Sequence, residues 1–308
     1  MRCRVAQIVT LATTCLCAGT LAIYAQSSAS TAALQIRSEA GCLQSSPPDE
    51  KQSSGPEISI AEVTFSGALE MAMADQDQVA DSIRQQTHGR AREEVTNEAL
   101  ERARGGWLNH GYFKVQVSGE PRILTSNSAS QRIALSVQLD EGPQYSLGEI
   151  TFNHNRAISN LEALRRLFPI KDGDIFSREK VAKGLENLRK TYGELGYINF
   201  TSVPDTKIDD ETKRIFLYID FDEGKQYYVS SVNILGLDEP VQEELLKDFP
   251  MKRAQIYNER LFERFLLKHA SIFSAPHRSD RTLNDQAGTV TLTFDFRPCP
   301  LLSKIPQL

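Results

Sequence analysis

At 308 residues, with 24% charged and 40% hydrophobic residues, the chain has the composition of ordinary water-exposed modules, which argues against a bundle of membrane helices. Its formal net charge is −5, and removing a leader that holds Arg2 and Arg4 but no acid takes it to −7. That balance disfavours nucleic acid as a partner, because a phosphate-binding surface needs a basic excess.

The N-terminus carries Arg2 and Arg4, then an uncharged apolar stretch over residues 5–23, then small and polar residues. This is the layout of a secretory signal peptide, residues 1–25, cleaved after Ala25 or at Ala29. The apolar stretch is nearly long enough to cross a bilayer, so an uncleaved anchor is the alternative. Residues 26–56, rich in Ser, Ala, Gln and Pro, read as a disordered linker. Outside the leader only Cys42 and Cys299 remain. They flank everything between them, and a disulfide in an oxidising compartment requires the linker to fold back until their Cα atoms lie within about 7 Å.

From residue 57 a pattern recurs at intervals of roughly eighty residues. Val63-Thr64-Phe65-Ser66-Gly67, Ile150-Thr151-Phe152-Asn153-His154 and Val232-Asn233-Ile234-Leu235-Gly236 place apolar residues two apart, as on one face of a strand, before a turn. The second and third copies share Phe168-Pro169-Ile170-Lys171 and Phe249-Pro250-Met251-Lys252, then Ile175-Phe176-Ser177 and Ile256-Tyr257-Asn258. The first and second share Leu100, Trp107, Gly111 and Tyr112 against Leu185, Tyr192, Gly196 and Tyr197 at one constant offset. Glu141-Gly142-Pro143-Gln144-Tyr145 and Glu223-Gly224-Lys225-Gln226-Tyr227 end one copy and begin the next. The spacing predicts units at 57–142, 143–224 and 225–298, with a tail at 299–308.

Within the middle copy, Ser159-Asn160-Leu161-Glu162 has the form of a capping box, and Leu161, Leu164 and Phe168 follow at helical spacing until Pro169. Ser177 is placed to cap a second helix whose Val181, Leu185, Leu188 and Tyr192 make one apolar face. Gly196 supplies the exit, and residues 215–221 alternate as a hairpin strand. The fold class predicted is α+β: three tandem β-α-α-β-β units, each a three-stranded mixed sheet covered on one face by two helices. In the first copy, Leu69, Val79 and Ile83 are far apart, so its first helix should pack thinly. In the third, His277-Arg278 stands in place of the Gly-Tyr pair and Pro276 breaks the helix, and a short or missing middle strand is expected.

A unit of this order, with Val-x-Phe-x-Gly at its start, Tyr192-Gly193-Glu194-Leu195-Gly196-Tyr197 in its middle and Glu223-Gly224 at its end, resembles the POTRA (polypeptide-transport-associated) domain. His154 stands where the family usually has Gly. The resemblance covers residues 57–296 and implies an exported, non-enzymatic binding arm in the periplasm or at the periplasmic face of the outer membrane, like that of BamA-like assembly factors. It implies no cofactor, and as partners unfolded outer-membrane or secreted proteins, or a β-barrel or assembly-complex partner, with membrane association indirect. The large barrel of complete family members has no counterpart here, so an accessory or detached arm is expected; an anchored division-type envelope scaffold is the alternative. The resemblance also implies that the middle strand of each unit lies at a sheet edge, where an extended client can add a strand. The candidate edges are residues 112–118, with Tyr112, Phe113, Val115 and Val117, and residues 197–203, with Tyr197, Ile198 and Phe200.

Other residues have plainer readings. The five histidines show no metal-ligand spacing, and Asp172-Gly173-Asp174 lacks the rest of a calcium loop, so it reads as a turn. Glu141 and Glu223 recur at the unit boundaries and read as joint residues, not as a catalytic pair. Trp107 and Tyr192 read as core.

Overall fold

The structure, a computed structural model, describes residues 55–298. The leader, the linker up to residue 54, the tail from residue 299 and the Cys42–Cys299 pairing lie outside the described residues.

The first sheet is built from β1 (Glu57–Ser66), β2 (His88–Gly89), β3 (Gln116–Ser126) and β4 (Ser130–Asp140), in the order β2-β1-β4-β3. Helices α1 (Met73–Gln86) and α2 (Arg92–Asn109) complete it. β1 and β4 run parallel and β3 pairs antiparallel with β4, which makes the sheet mixed. The second sheet takes β5 (Ser146–Asn153), β6 (Thr201–Asp209) and β7 (Arg214–Asp222) in the order β5-β7-β6, with α3 (Leu161–Arg165) and α4 (Arg178–Glu194). The third takes β8 (Tyr228–Leu235), β9 (Arg278–Asn284) and β10 (Thr289–Asp295) in the order β8-β10-β9, with α5 (Glu239–Asp248), α6 (Glu259–Lys268) and α7 (Ala270–Phe273).

The alternation of apolar residues explains which strand is central. In β4, Ile133, Leu135, Val137 and Leu139 are buried; in β7, Ile215, Leu217, Ile219 and Phe221; in β10, Val290, Leu292 and Phe294. Each row faces its own helices and forms a separate core. Trp107 anchors the first core edge-on to Phe65, and Tyr192 stacks on Phe200 in the second. As the thin apolar spacing requires, α1 buries only Val79, Ala80 and Ile83.

Three local expectations are corrected. β9 is a full strand, paired with β10 in unbroken register from Arg278–Asp295 to Asn284–Thr289. Its charged sequence, RSDRTLN, lacks the apolar alternation that marks a strand. Helix α3 is capped by Asn160, whose side chain accepts the Ala163 N–H, and it ends at Arg165. Leu161 is therefore 54% exposed, and only Leu164 and Phe168 of that predicted stripe are buried. The short β2 was not expected; it pairs His88 and Gly89 with Ser59 and Ile58, where the other units have single bridges at Ile175 and Ile256.

Candidate binding edges and the joints between units

Two kinds of feature recur along the chain: an edge strand on each sheet and a joint between consecutive units. Among the described residues, β3, β6 and β9 each hydrogen-bond to one neighbouring strand only. β3 lies against α2 and β6 against α4, and the exposed side chains of β6 include Val203, at 65%.

Of the residues expected on these edges, only Val117 is in a strand. Tyr112 and Val115 are buried in the first core and Phe200 in the second. Burial, with Glu141 nearby, pushes the Tyr112 hydroxyl above its usual pKa. Phe113 packs against both the first and second cores and meets Phe176 edge-on at 5.8 Å, while Ile198 packs against the third core. Tyr197 packs on Tyr192 at 5.7 Å. The segments 112–115 and 197–200 are turns that plug joints, because the glycine exit of the helix delays the strand to Gln116 and Thr201. In the first segment Phe113, Val115 and Val117 alternate across both turn and strand, so no periodic signal separates them.

The two joints are built alike. Gly111 and Gly196, both at φ +85°, turn their carbonyls toward the next unit. The Tyr145 N–H donates to Gly111 O at 2.8 Å, and the Tyr227 N–H to Gly196 O at 2.9 Å. Gln144 Nε2 donates to His110 O and Gln226 Nε2 to Leu195 O, both at 2.8 Å. The buried Tyr145 hydroxyl donates to Asp210 Oδ1 and that of Tyr227 to Asp285 Oδ1, each at 2.5 Å. An added Cβ at Gly111 would come to 2.6 Å of Tyr145 O, so the site needs glycine for space as well as for φ.

Both joints carry an ion pair between units, Lys114–Asp210 at 2.7 Å in the first and the longer Arg260–Glu194 at 3.5 Å in the second, and they differ in the residue that meets the tyrosine. In the first, Lys114 Nζ reaches both Asp210 oxygens at 2.7 and 2.8 Å, and Lys114 and Lys213 lie over the Tyr145 ring. The Lys114 ammonium, helped by the Tyr145 hydroxyl, holds Asp210 below the usual carboxylate range. In the second, the neutral Asn199 donates to the Tyr227 hydroxyl at 3.3 Å. A cleft of about 330 Å3 opens there between α4 and α6, and it brings together Tyr197, Ile198 and Phe200 with Arg189, Lys190 and Glu263.

Glu141 and Glu223 are not joint residues. Each accepts hydrogen bonds inside its own unit: Glu141 from Trp107 Nε1 and from the backbone of Glu70 and Met71, Glu223 from the Tyr192 hydroxyl and the backbone of Arg156 and Ala157. They tie the loop after the first strand to the second helix. The histidines have comparable duties: His154 meets Asp220 at 2.5 Å, His269 meets Asp248 at 2.6 Å, and His110 meets Gly106 O at 2.8 Å.

The sequence model of the family described as POTRA, surface antigen variable number repeat, matches residues 145–224. The chain is similar to the outer membrane protein assembly factor BamA of Buchnera aphidicola, with 22% identity over 203 residues, which is 65% of this chain and 32% of that one. It is also similar to BamA of Neisseria meningitidis serogroup B, with 25% identity over 177 residues, 53% of this chain and 21% of that one. The chain thus spans at most about a third of the length of these relatives. Among solved structures, Haemophilus influenzae BamA POTRA3-5 superimposes with a TM-score of 0.55 at 20% identity, covering 78% of this chain and 96% of that one. Residues 145–224 are accordingly a POTRA domain, and the units on either side give the described chain the fold of a tandem POTRA array.

Proposed function

We propose that the chain is a non-catalytic scaffold or chaperone-like arm of the cell envelope, working in the periplasm or at the periplasmic face of the outer membrane in the assembly or secretion of outer-membrane proteins. The relatives' name, outer membrane protein assembly factor, motivates the process. The observation that carries the binding mode is that each of three sheets in series ends in a strand that, among the described residues, is hydrogen-bonded on one side only. Such edges complete an extended client through its backbone and so tolerate many sequences, which suits unfolded outer-membrane or secreted proteins, or a segment of a β-barrel partner. The carboxylates and histidines with a catalytic look are engaged in loop ties and pairs within the fold, which supports a binding role over an enzymatic one.

The test is photo-crosslinking from Glu120 and Asp205, exposed residues of β3 and β6, in an envelope preparation containing outer membrane. Adducts with unfolded outer-membrane polypeptides or a barrel partner are expected. If neither position yields such an adduct while the chain is folded and exported, the reading fails.

A further inference from the structure

The three edges are not equivalent, and the difference lies in two prolines. β3 carries Pro121 opposite Leu135, and β6 carries Pro204 opposite Ile219; in both cases the ladder to the central strand runs past the proline without a shift at that residue. A proline within an unbroken ladder must turn its ring nitrogen away from the paired neighbour, because it has no N–H to give. The ring therefore occupies the outer edge, at the place where an incoming strand would need a donor and close approach. β3 is further marked by a bulge between Ile123 and Thr125. Both are devices that blunt an edge against pairing.

β9 has neither. Its seven residues, Arg278–Asn284, contain no proline, and all are in register with β10. Its two arginines are engaged within the unit: Arg278 pairs with Asp295, and Arg281 reaches Glu259 of α6 at 2.7 Å and lies over the Phe262 ring, while Asp280 is exposed. What remains on the open side is backbone, flanked by the short polar side chains of Asp280, Thr282 and Asn284.

We infer that β9 of the third unit is the edge that accepts an added strand, and that Pro121 and Pro204 close β3 and β6 to it; the occupant is an extended peptide segment of a partner, held through its backbone. The inference rests on the edge-pairing reading proposed above and narrows it to one strand.

The probe is an eight-residue peptide of alternating Val and Thr carrying a nitroxide at one end, added to the isotope-labelled full chain. Amide signals of residues 278–284 should broaden, while those of 116–126 and 201–209 should not. Proline is then placed at Thr282 and, separately, at Leu283: one faces β10 and the other faces out. The variant that keeps the wild-type melting temperature should bind the peptide roughly tenfold more weakly, the loss expected for one or two backbone hydrogen bonds. Conversely, Pro204→Val should open β6 and raise the stoichiometry from one peptide to two. Broadening at β3 or β6 as strong as at β9, or an unchanged stoichiometry in Pro204→Val, overturns the assignment to β9 and leaves edge pairing standing. Broadening at none of the three strands overturns both.

Discussion

Trp107 donates its indole N–H to Glu141 at 2.6 Å inside the first unit, and both residues are almost wholly buried. The second unit repeats the tie with Tyr192 and Glu223 at 2.8 Å. By register, the third has Phe273 and Pro298 at these places, so donor and carboxylate are replaced together. Phe273 meets Phe296 much as Tyr192 meets Phe221, at 5.7 and 5.6 Å. Removing both partners is tolerated where removing one is not, since a lone buried donor or carboxyl has lost its water for nothing.

Glu141→Ala should accordingly destabilise the first unit by about 2–4 kcal/mol, because it strands the indole and the Glu70 and Met71 amides together. Trp107→Phe with Glu141→Leu should cost less than the sum of the two single changes. Denaturant titrations of all three variants measure this, and strict additivity would refute the coupling.

The turn after the first strand offers a contrast between Gly67 and His154. At Gly67, φ is +132° and an added Cβ would overlap the Leu139 carbonyl oxygen, so Gly67→Ala should cost about 2 kcal/mol or more. His154 holds φ +61°, a conformation that glycine adopts at little cost. Its pair with Asp220 is exposed and contributes little. His154→Gly should therefore raise stability by roughly 0.5–1 kcal/mol, read as a higher melting temperature.

The first joint should respond to salt and acid more than the second. Asp210 sits below its ordinary pKa and Lys114 above, each chiefly through their mutual bond. A depressed carboxylate contributes above its unfolded pKa and stops contributing as pH falls through the folded value. A raised ammonium contributes below its unfolded pKa and stops as pH rises through the folded one. The latch is thus at full strength from about pH 5 to about pH 9. Spin labels at Asp81 and Lys171, in a chain whose own cysteines are replaced by serine, report the first joint; Lys171 and Lys247 report the second. Their distance distribution across the first joint should broaden in about 0.5 M salt or with Lys114→Ala. Equal broadening across both joints would refute the assignment.

Thr87 closes α1 with its hydroxyl oxygen fully buried and without a hydrogen-bond partner among the described residues. Its extended backbone suits a β-branched residue. Thr87→Val, which keeps the shape and removes the stranded oxygen, should stabilise the first unit by about 1 kcal/mol. A loss of stability in calorimetry would mean that the hydroxyl has a partner after all.

How much of this was legible from residues follows from the range of each signal. The buried rows of β4, β7 and β10 and the face of α4 repeat at fixed short periods, so they could be read directly. β9 has Arg278, Asp280 and Arg281 where apolar residues were sought, and two-residue β2 is too short for any period. The joints depend on pairs such as Gly111 with Tyr145 and Lys114 with Asp210, which local patterning does not connect. The edge residues were misplaced by a few positions for a related reason: a turn that buries aromatics looks like the strand it precedes.

The first and last strands of each unit are parallel partners, β1 with β4, β5 with β7 and β8 with β10. The opening strand of the second and third units therefore has no strand to pair with until nearly the whole unit has been delivered, and that of the first has only the two-residue β2. Tyr145 and Tyr227 follow directly on the closing strand and bond back to Gly111 and Gly196, so the strand that completes one unit and the residue that fastens the next to it are neighbours in the sequence.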